Sequence, residues 1–414
     1  MAPAGGTRVI ALGALVVLAA TAGGCSRPPG FHDLFTDTSV VTRGQITALA
    51  SQNGHPVIGS YDVDSRPRAG LASVIGQSVR PLAVRAQTPY AFEGRWRFLA
   101  ADGGRLVGVT GISGGAHGNV RWAVWAGDES GLTEQPQTFE TFGGVDAGGI
   151  SGAAVERDGP LVTGSWVSAA AGLDAAVWRP VGQRWIREPS TGTALASTRE
   201  RLVQVSGVAT AAGGAVLAGA TTNLRDGVSV IATVWTARDG TWVSSTLPDP
   251  PDASAQPGGH AAGPTPESRP GLSTGVEAIG CRGDWCLLAG RASGVLRIWS
   301  MQVADGVVSQ ARALPEASPP PEPDTKPSGG YVLSSGARVV AVGVGPHYDW
   351  VAVADGTGAG VIWRGQFTPR PGGRADGWLA VRTPGAPSAL TCAGSSLWLA
   401  TLDGDQSTLW RSEG

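Results

Sequence analysis

The chain has 414 residues, of which 63 are Gly and 29 Pro, and its aromatic content rests on 15 Trp against 7 Phe and 4 Tyr. So many turn residues beside so many large apolar ones fit an all-β array with a sizeable core, and they argue against a helical repeat. The formal net charge is −2, Lys326 is the only lysine, and the arginines are scattered, so there is no basic run of the kind a nucleic-acid surface needs.

At the N-terminus Arg8 precedes a 12-residue apolar stretch, Val9–Ala20 (VIALGALVVLAA), followed by small residues up to Cys25. This is the pattern of a secretory signal, residues 1–24, too short to span as a stable transmembrane helix. The segment Ala22-Gly23-Gly24-Cys25 resembles the bacterial lipobox, although Ala22 stands where that motif most often has Leu. The resemblance implies that Cys25 is diacylated and becomes the mature N-terminus, which would hold the protein outside the cytoplasm on the cell membrane; plain signal-peptide cleavage, with Cys25 incidental, is the alternative. The Ala, Gly and Arg bias is similar to that of high-GC actinobacterial proteins. Residues 25–33 read as a lipidated polar tether, and Leu34–Thr42 as a single isolated strand.

From there the sequence repeats. The clearest copy, Leu202–Pro248, divides into Val203–Thr210, Ala215–Thr221, Ser229–Thr236 and Thr241–Leu247, four runs rich in Val, Thr and Trp. Gly213-Gly214, the Asn223–Gly227 run and Asp239-Gly240 separate them with the positive-φ residues that tight hairpins demand. Four short strands in one such repeat match the period of about 40–50 residues expected of a β-propeller blade. Earlier copies lie at Ile46–Arg85, Trp96–Thr141 and Gly148–Ser190; later ones follow the Pro- and Gly-rich segments 249–270 and 315–330. The last segment, from Ser388, supplies only three strands, and Leu34–Thr42 fits the vacancy. The sequence therefore predicts an all-β, seven-bladed propeller over residues 34–414, closed by pairing the N-terminal strand into the last blade, with six or eight blades as alternatives.

Trp125, Trp178, Trp235, Trp299, Trp363 and Trp410 mark the third strand of successive blades, with Ile75 at the equivalent place in blade one. One Trp per blade at one position is what packing between neighbouring sheets requires. Trp166 lies outside the series and is the better candidate for an exposed aromatic. Cys281 and Cys286 flank the first hairpin of blade five, where a turn would set them opposite each other for a disulfide; Cys392 has Leu397 at the partner position and is expected to be a buried thiol. His32, His55, His117, His260 and His347 show no ligand spacing, so no metal is expected.

Thr236–Trp242 (TARDGTW) resembles a degraded Asp-box, the hairpin of sialidase-like propellers, though Asp239 and Gly240 are adjacent and the loop is one residue shorter. That box implies fold and not activity. The blade organisation is also distantly similar to WD-repeat propellers. Sialidase chemistry would need three arginines, a Tyr nucleophile with a Glu, and an Asp acid, and no such set is identifiable. The docking motif of quinoprotein dehydrogenases is absent, so no cofactor is expected.

Strand direction sorts the loops. A tether leading into the fourth strand of the last blade enters on the face of the third-to-fourth-strand loops, while the Pro-rich segments and the long second-to-third-strand loops open on the opposite, outer face. The expected function is therefore a monomeric envelope lipoprotein acting as a non-catalytic binding scaffold. His117, Trp166, Arg225 and Asp226 on the outer face are the candidate contacts for a protein or glycan partner. A glycan-active hydrolase or lyase, and an assembly factor for an envelope complex, are the alternatives.

Overall fold

A computed structural model describes residues 29–38, 40, 44–62, 68–114, 119–249, 275–321, 330–367 and 377–413. Cys25, His117 and the segment 250–274 lie outside these residues.

Second strands such as Asp349–Ala354 (DWVAVA) are buried along their whole length, because each is covered by the neighbouring blade on both sides. Fourth strands such as Thr241–Thr246 (TWVSST) bury only the inward Trp242 securely and leave most of the remainder to solvent. Sequences graded in this way, from continuous apolar runs to polar outer edges, build seven sheets among the described residues. Blade four pairs Arg201–Ala211, Gly214–Asn223, Ser229–Arg238 and Thr241–Thr246 in antiparallel order. The other blades repeat the pattern, and blade two gains a fifth strand, Ala83–Arg85, parallel to Gly131–Glu134. Two-residue hairpins such as Asn53-Gly54 and Asp239-Gly240 have both residues at positive φ, as the sequence demands.

Seven apolar clusters sit one at each junction between consecutive blades. The cluster between blades seven and one contains Leu399's neighbours Trp398 and Ala400 with Ile46 and Ile58, so the ring is closed. Closure also involves the N-terminal segment: Thr36 pairs with Arg411 and Asp37 with Trp410 in antiparallel register, and Thr38 N–H donates to the Leu409 carbonyl.

The pairing strand is shorter than the sequence predicts. Among the described residues Thr36–Asp37 is the only stretch of the predicted strand that pairs, and Phe31–Leu34 forms one helical turn in place of its start, with Gly30 N–H donating to Asp33 (2.7 Å). Apolar burial overrides the polar look of this segment. Phe31 and Phe35 stack at 4.6 Å and insert against Trp410 and Trp350. The chain is therefore docked from Phe31 onward, and the last part of the expected tether belongs to the propeller.

The tryptophan series is buried as expected. Trp235, Trp299 and Trp363 also use their indole N–H groups alike, donating to Ala194, Pro248 and Ser318 in the connector that precedes each blade. Blade one differs from expectation. Val57 pairs with Ser73 and Ile58 with Ala72, whereas Leu217 pairs with Trp235 in blade four, so the Trp position in blade one is held by Ala72 and not Ile75. Ile75 is 44% exposed at the strand's end. Ala72 faces the junction with blade seven, where Trp398 packs with Ile58 and Val74. Trp96, from the first strand of blade two, fills the other junction of blade one, where it is 1% exposed, its N–H donates to the Gly70 carbonyl, and its ring tilts against Trp125.

Cys281 and Cys286 form the disulfide, directly opposite each other in the first hairpin of blade five with Cα atoms 4.0 Å apart. Cys392, paired in register with Leu397, is only partly buried, because it borders the channel at the inner end of the ring.

Candidate functional site at the outer mouth of the central channel

The first strand of every blade lines the central channel, and each carries a β-bulge at the same place; blade three has a second irregularity at Gly148. The register slips across Thr47, Arg97, Ser151, Ser206, Glu277, Val340 and Ser388, one residue per blade. A bulge leaves one residue unpaired and bends the strand, which here turns the channel wall at each blade. The pairing partners Gly219 and Gly290 stand opposite two of these bulges, where a Cβ would come within 2.0 Å and 1.9 Å of a first-strand carbonyl oxygen.

Most bulged side chains stitch their blade to a neighbour. Thr47 Oγ1 donates to the Trp96 carbonyl (3.0 Å) and Ser388 Oγ to the Ile46 carbonyl (2.9 Å), while Ser206 donates to the Val276 carbonyl. Glu277 does the same with a carboxylate: one oxygen pairs with Arg291 and the other accepts from Val339 N–H (2.9 Å). Ser151 instead shares a hydrogen with Thr163 of its own blade. The Arg97 side chain makes no hydrogen bond among the described residues and is exposed in the channel mouth.

Two further arginines reach the same mouth. Arg95 and Arg338 open the first strands of blades two and six, at equivalent register, three blades apart around the ring. Arg95 is half-buried, with its guanidinium 5.9 Å from the centre of the Tyr61 ring. Burial pushes the Arg95 pKa below its ordinary value, and the positive charges of Arg97 and Arg338 push the same way against an opposing pull from Tyr61. Among the described residues none of the three has a carboxylate within ion-pair distance. The residues after the bulges are small in six blades, Ala48, Gly152, Gly207, Ala278, Ala341 and Ala389, and they leave a cavity of about 610 Å³ beneath the arginines.

The residues singled out from the sequence lie elsewhere on this face. Arg225 and Asp226 border an open cavity of about 680 Å³ beside blade four, where Arg225 is paired with Glu200. Trp166 does not line it. Its ring meets Trp178 edge-on at 6.1 Å and lies under the Arg187 guanidinium at 5.2 Å, half-buried in the junction of blades two and three. The structure thus brings Arg225 and Asp226 together and holds Trp166 apart from them. His117 lies outside the described residues. The ends of the second Pro-rich segment are fixed: Ala317 is 1% exposed, and its carbonyl accepts from Tyr331 N–H across the undescribed residues 322–329.

Arg95, Arg97 and Arg338 were missed by sequence reasoning. One signal was available: overlaying the seven first strands puts Arg97 in a column otherwise made of Thr, Ser, Glu and Val.

The fold and this mouth define a seven-bladed β-propeller with a cationic opening on the face away from the closing segment. No protein-family model and no curated protein matches the chain. Among solved structures, the PQQ-bound aldose sugar dehydrogenase from Streptomyces coelicolor aligns over 92% of this chain and 97% of its own, with 13% identity and a TM-score of 0.37. The Dos1 propeller aligns over 93% of this chain and 95% of its own, with 9% identity and a TM-score of 0.45. Both are propellers, and at these scores neither bears on ligand or chemistry.

Proposed function

We propose that this protein is a lipid-anchored, monomeric, extracytoplasmic propeller that recognises a protein or glycan partner of the cell envelope through its outer face, without catalysis. The observation that carries the reading is the separation of the two ends of the ring. Thr36 pairs with Arg411 near the end of the third strand of blade seven, so the chain joins the ring on the inner face. The arginine mouth, the Arg225 cavity and the connectors between blades all open on the outer one.

Docking of Phe31 sharpens the orientation. Only residues 26–30 separate Cys25 from Phe31, the first buried side chain among the described residues, and at about 3.3–3.6 Å per residue they reach roughly 20 Å. A diacylated Cys25 would hold the inner face close to the bilayer and present the outer face to the envelope. One lipidated cysteine with two chains suffices for stable anchoring.

Labelling cells with an alkynyl palmitate should mark the wild-type chain and leave Cys25→Ala unmarked. A photo-crosslinking residue at position 225, on the outer face, should capture a partner that the same residue at position 305, in an inner-face hairpin, does not. Capture from position 305 alone, or an unlabelled wild-type chain, would overturn the orientation.

A further inference from the structure

We propose that the outer mouth of the central channel is a binding site for an oxyanion, a carboxylate or phosphate group borne by the ligand, held by Arg95, Arg97 and Arg338. This deepens the reading of the outer face as the recognition surface, and rests on it.

The first argument is structural redundancy. At the bulge, Thr47, Ser206, Glu277 and Ser388 all spend their side chains on the next blade, and Ser151 on its own. Arg97 occupies the same place and, among the described residues, makes no side-chain hydrogen bond or ion pair to a neighbouring blade. Its guanidinium is aimed into the mouth, where it lines the cavity with Arg95 and Arg338.

The second argument is charge. Three guanidinium groups share one opening, and Arg95 is depressed by burial and by the other two. The one acidic side chain in the wall, Glu277, cannot neutralise them, because Arg291 and the Val339 N–H already occupy its two oxygens. Clustered positive charge in a recess with low-dielectric walls focuses its field on an incoming anion, and the guanidinium fork matches the paired oxygens of a carboxylate or phosphate.

The third is space. Placing Arg95 and Arg338 three blades apart makes the opening a clamp rather than a one-sided patch. The cavity of about 610 Å³ below them falls in the range that holds a small ligand or one sugar unit of a chain. The small residues that follow the bulges keep it unfilled.

The test is calorimetric titration of the full chain, purified in detergent, with inorganic phosphate, D-glucuronate and polygalacturonate. D-glucose and sodium chloride at matched ionic strength are the controls. The expected result is saturable binding of at least one anion and none of glucose. Arg97→Gln and Arg338→Gln should each weaken it about tenfold and the double variant should abolish it. Both side chains are exposed and make no hydrogen bond among the described residues, so the variants should keep the wild-type melting temperature to within a few degrees.

Tighter binding of polygalacturonate, per sugar, than of glucuronate would assign the oxyanion to an acidic polysaccharide. Equal or weaker binding would assign it to a free small anion. Heat matched by sodium chloride, or binding retained in the double variant, would overturn the proposal. That failure is separable from failure of the outer-face reading, because crosslinking from position 225 does not involve the three arginines.

Discussion

Individual polar side chains in this ring earn their places by closing turns, and Asp355 shows how that couples stability to pH. Its Oδ1 accepts from Thr357 N–H and Thr357 Oγ1, both at 2.8 Å, and from Ala359 N–H at 3.3 Å, in the hairpin between the second and third strands of blade six. Partial burial alone would raise its pKa, but these hydrogen bonds, with the charge of Arg382, bring it below the ordinary carboxylate value. A pKa lowered by folding means that the charged form stabilises the native state. The contribution is fully present above the unfolded value, about 3.9, and is lost as pH falls through the folded one. Asp355→Asn, which keeps the acceptor oxygen and removes the charge, should melt on the order of 1 °C below wild type at pH 7. The gap should begin to narrow as pH falls past about 4 and close only below the folded pKa. A gap that persists in acid would mean that shape and not charge holds the turn.

At the scale of the element, the first strand with its bulge is the working unit. Ser206 and Ser388 each join neighbouring blades through a hydroxyl, so Ser206→Ala and Ser388→Ala should each cost about 1 kcal/mol in urea unfolding. Arg97→Ser should be at least as stable as wild type, since it removes a cation repelled by Arg95 and installs the hydroxyl that other blades use; a loss above about 1 kcal/mol would show that Arg97 supports the ring. The blades themselves were legible in the sequence because each Trp of the series fills the same site between sheets, so their spacing reports the architecture directly. Blade one was misaligned because Ala72 leaves no mark there, and the large side chain in the junction it faces, Trp398, comes from the second strand of blade seven. The bulge was illegible strand by strand, since one extra residue among Ala, Gly and Ser barely disturbs an apolar alternation. The arginine mouth was hidden for another reason: residues 95, 97 and 338 meet only because the ring returns blade six to within three positions of blade two.

For the whole molecule the decisive contact is the one that shuts the ring. The sequence located it correctly, in the pairing of the first segment with the last, but as a nine-residue strand, whereas among the described residues the backbone pairing spans Thr36–Asp37 and the bond from Thr38. So short a ladder cannot by itself hold the blade-seven edge, Gln406–Glu413. What it lacks is supplied by packing: Phe35 is 2% exposed, stacked on Phe31 and 5.6 Å from the centre of Trp350, in the cluster that joins blades six and seven. Emptying that site should therefore weaken the molecule more than loosening the strand. Phe35→Ala is expected to cost about 3–4 kcal/mol, in the range for a buried aromatic replaced by Ala. Thr38→Ala, which loses the 2.8 Å bond from Oγ1 to the Leu409 carbonyl, should cost only about 1 kcal/mol. Urea midpoints of the two variants give the order directly. Because an unclasped blade seven exposes an unpaired strand edge, Phe35→Ala should also form concentration-dependent oligomers on size-exclusion chromatography that Thr38→Ala does not. The reverse order of midpoints would place closure in the backbone ladder, and with it the inner-face attachment that orients the outer mouth would depend on two residues of strand rather than on an aromatic clasp.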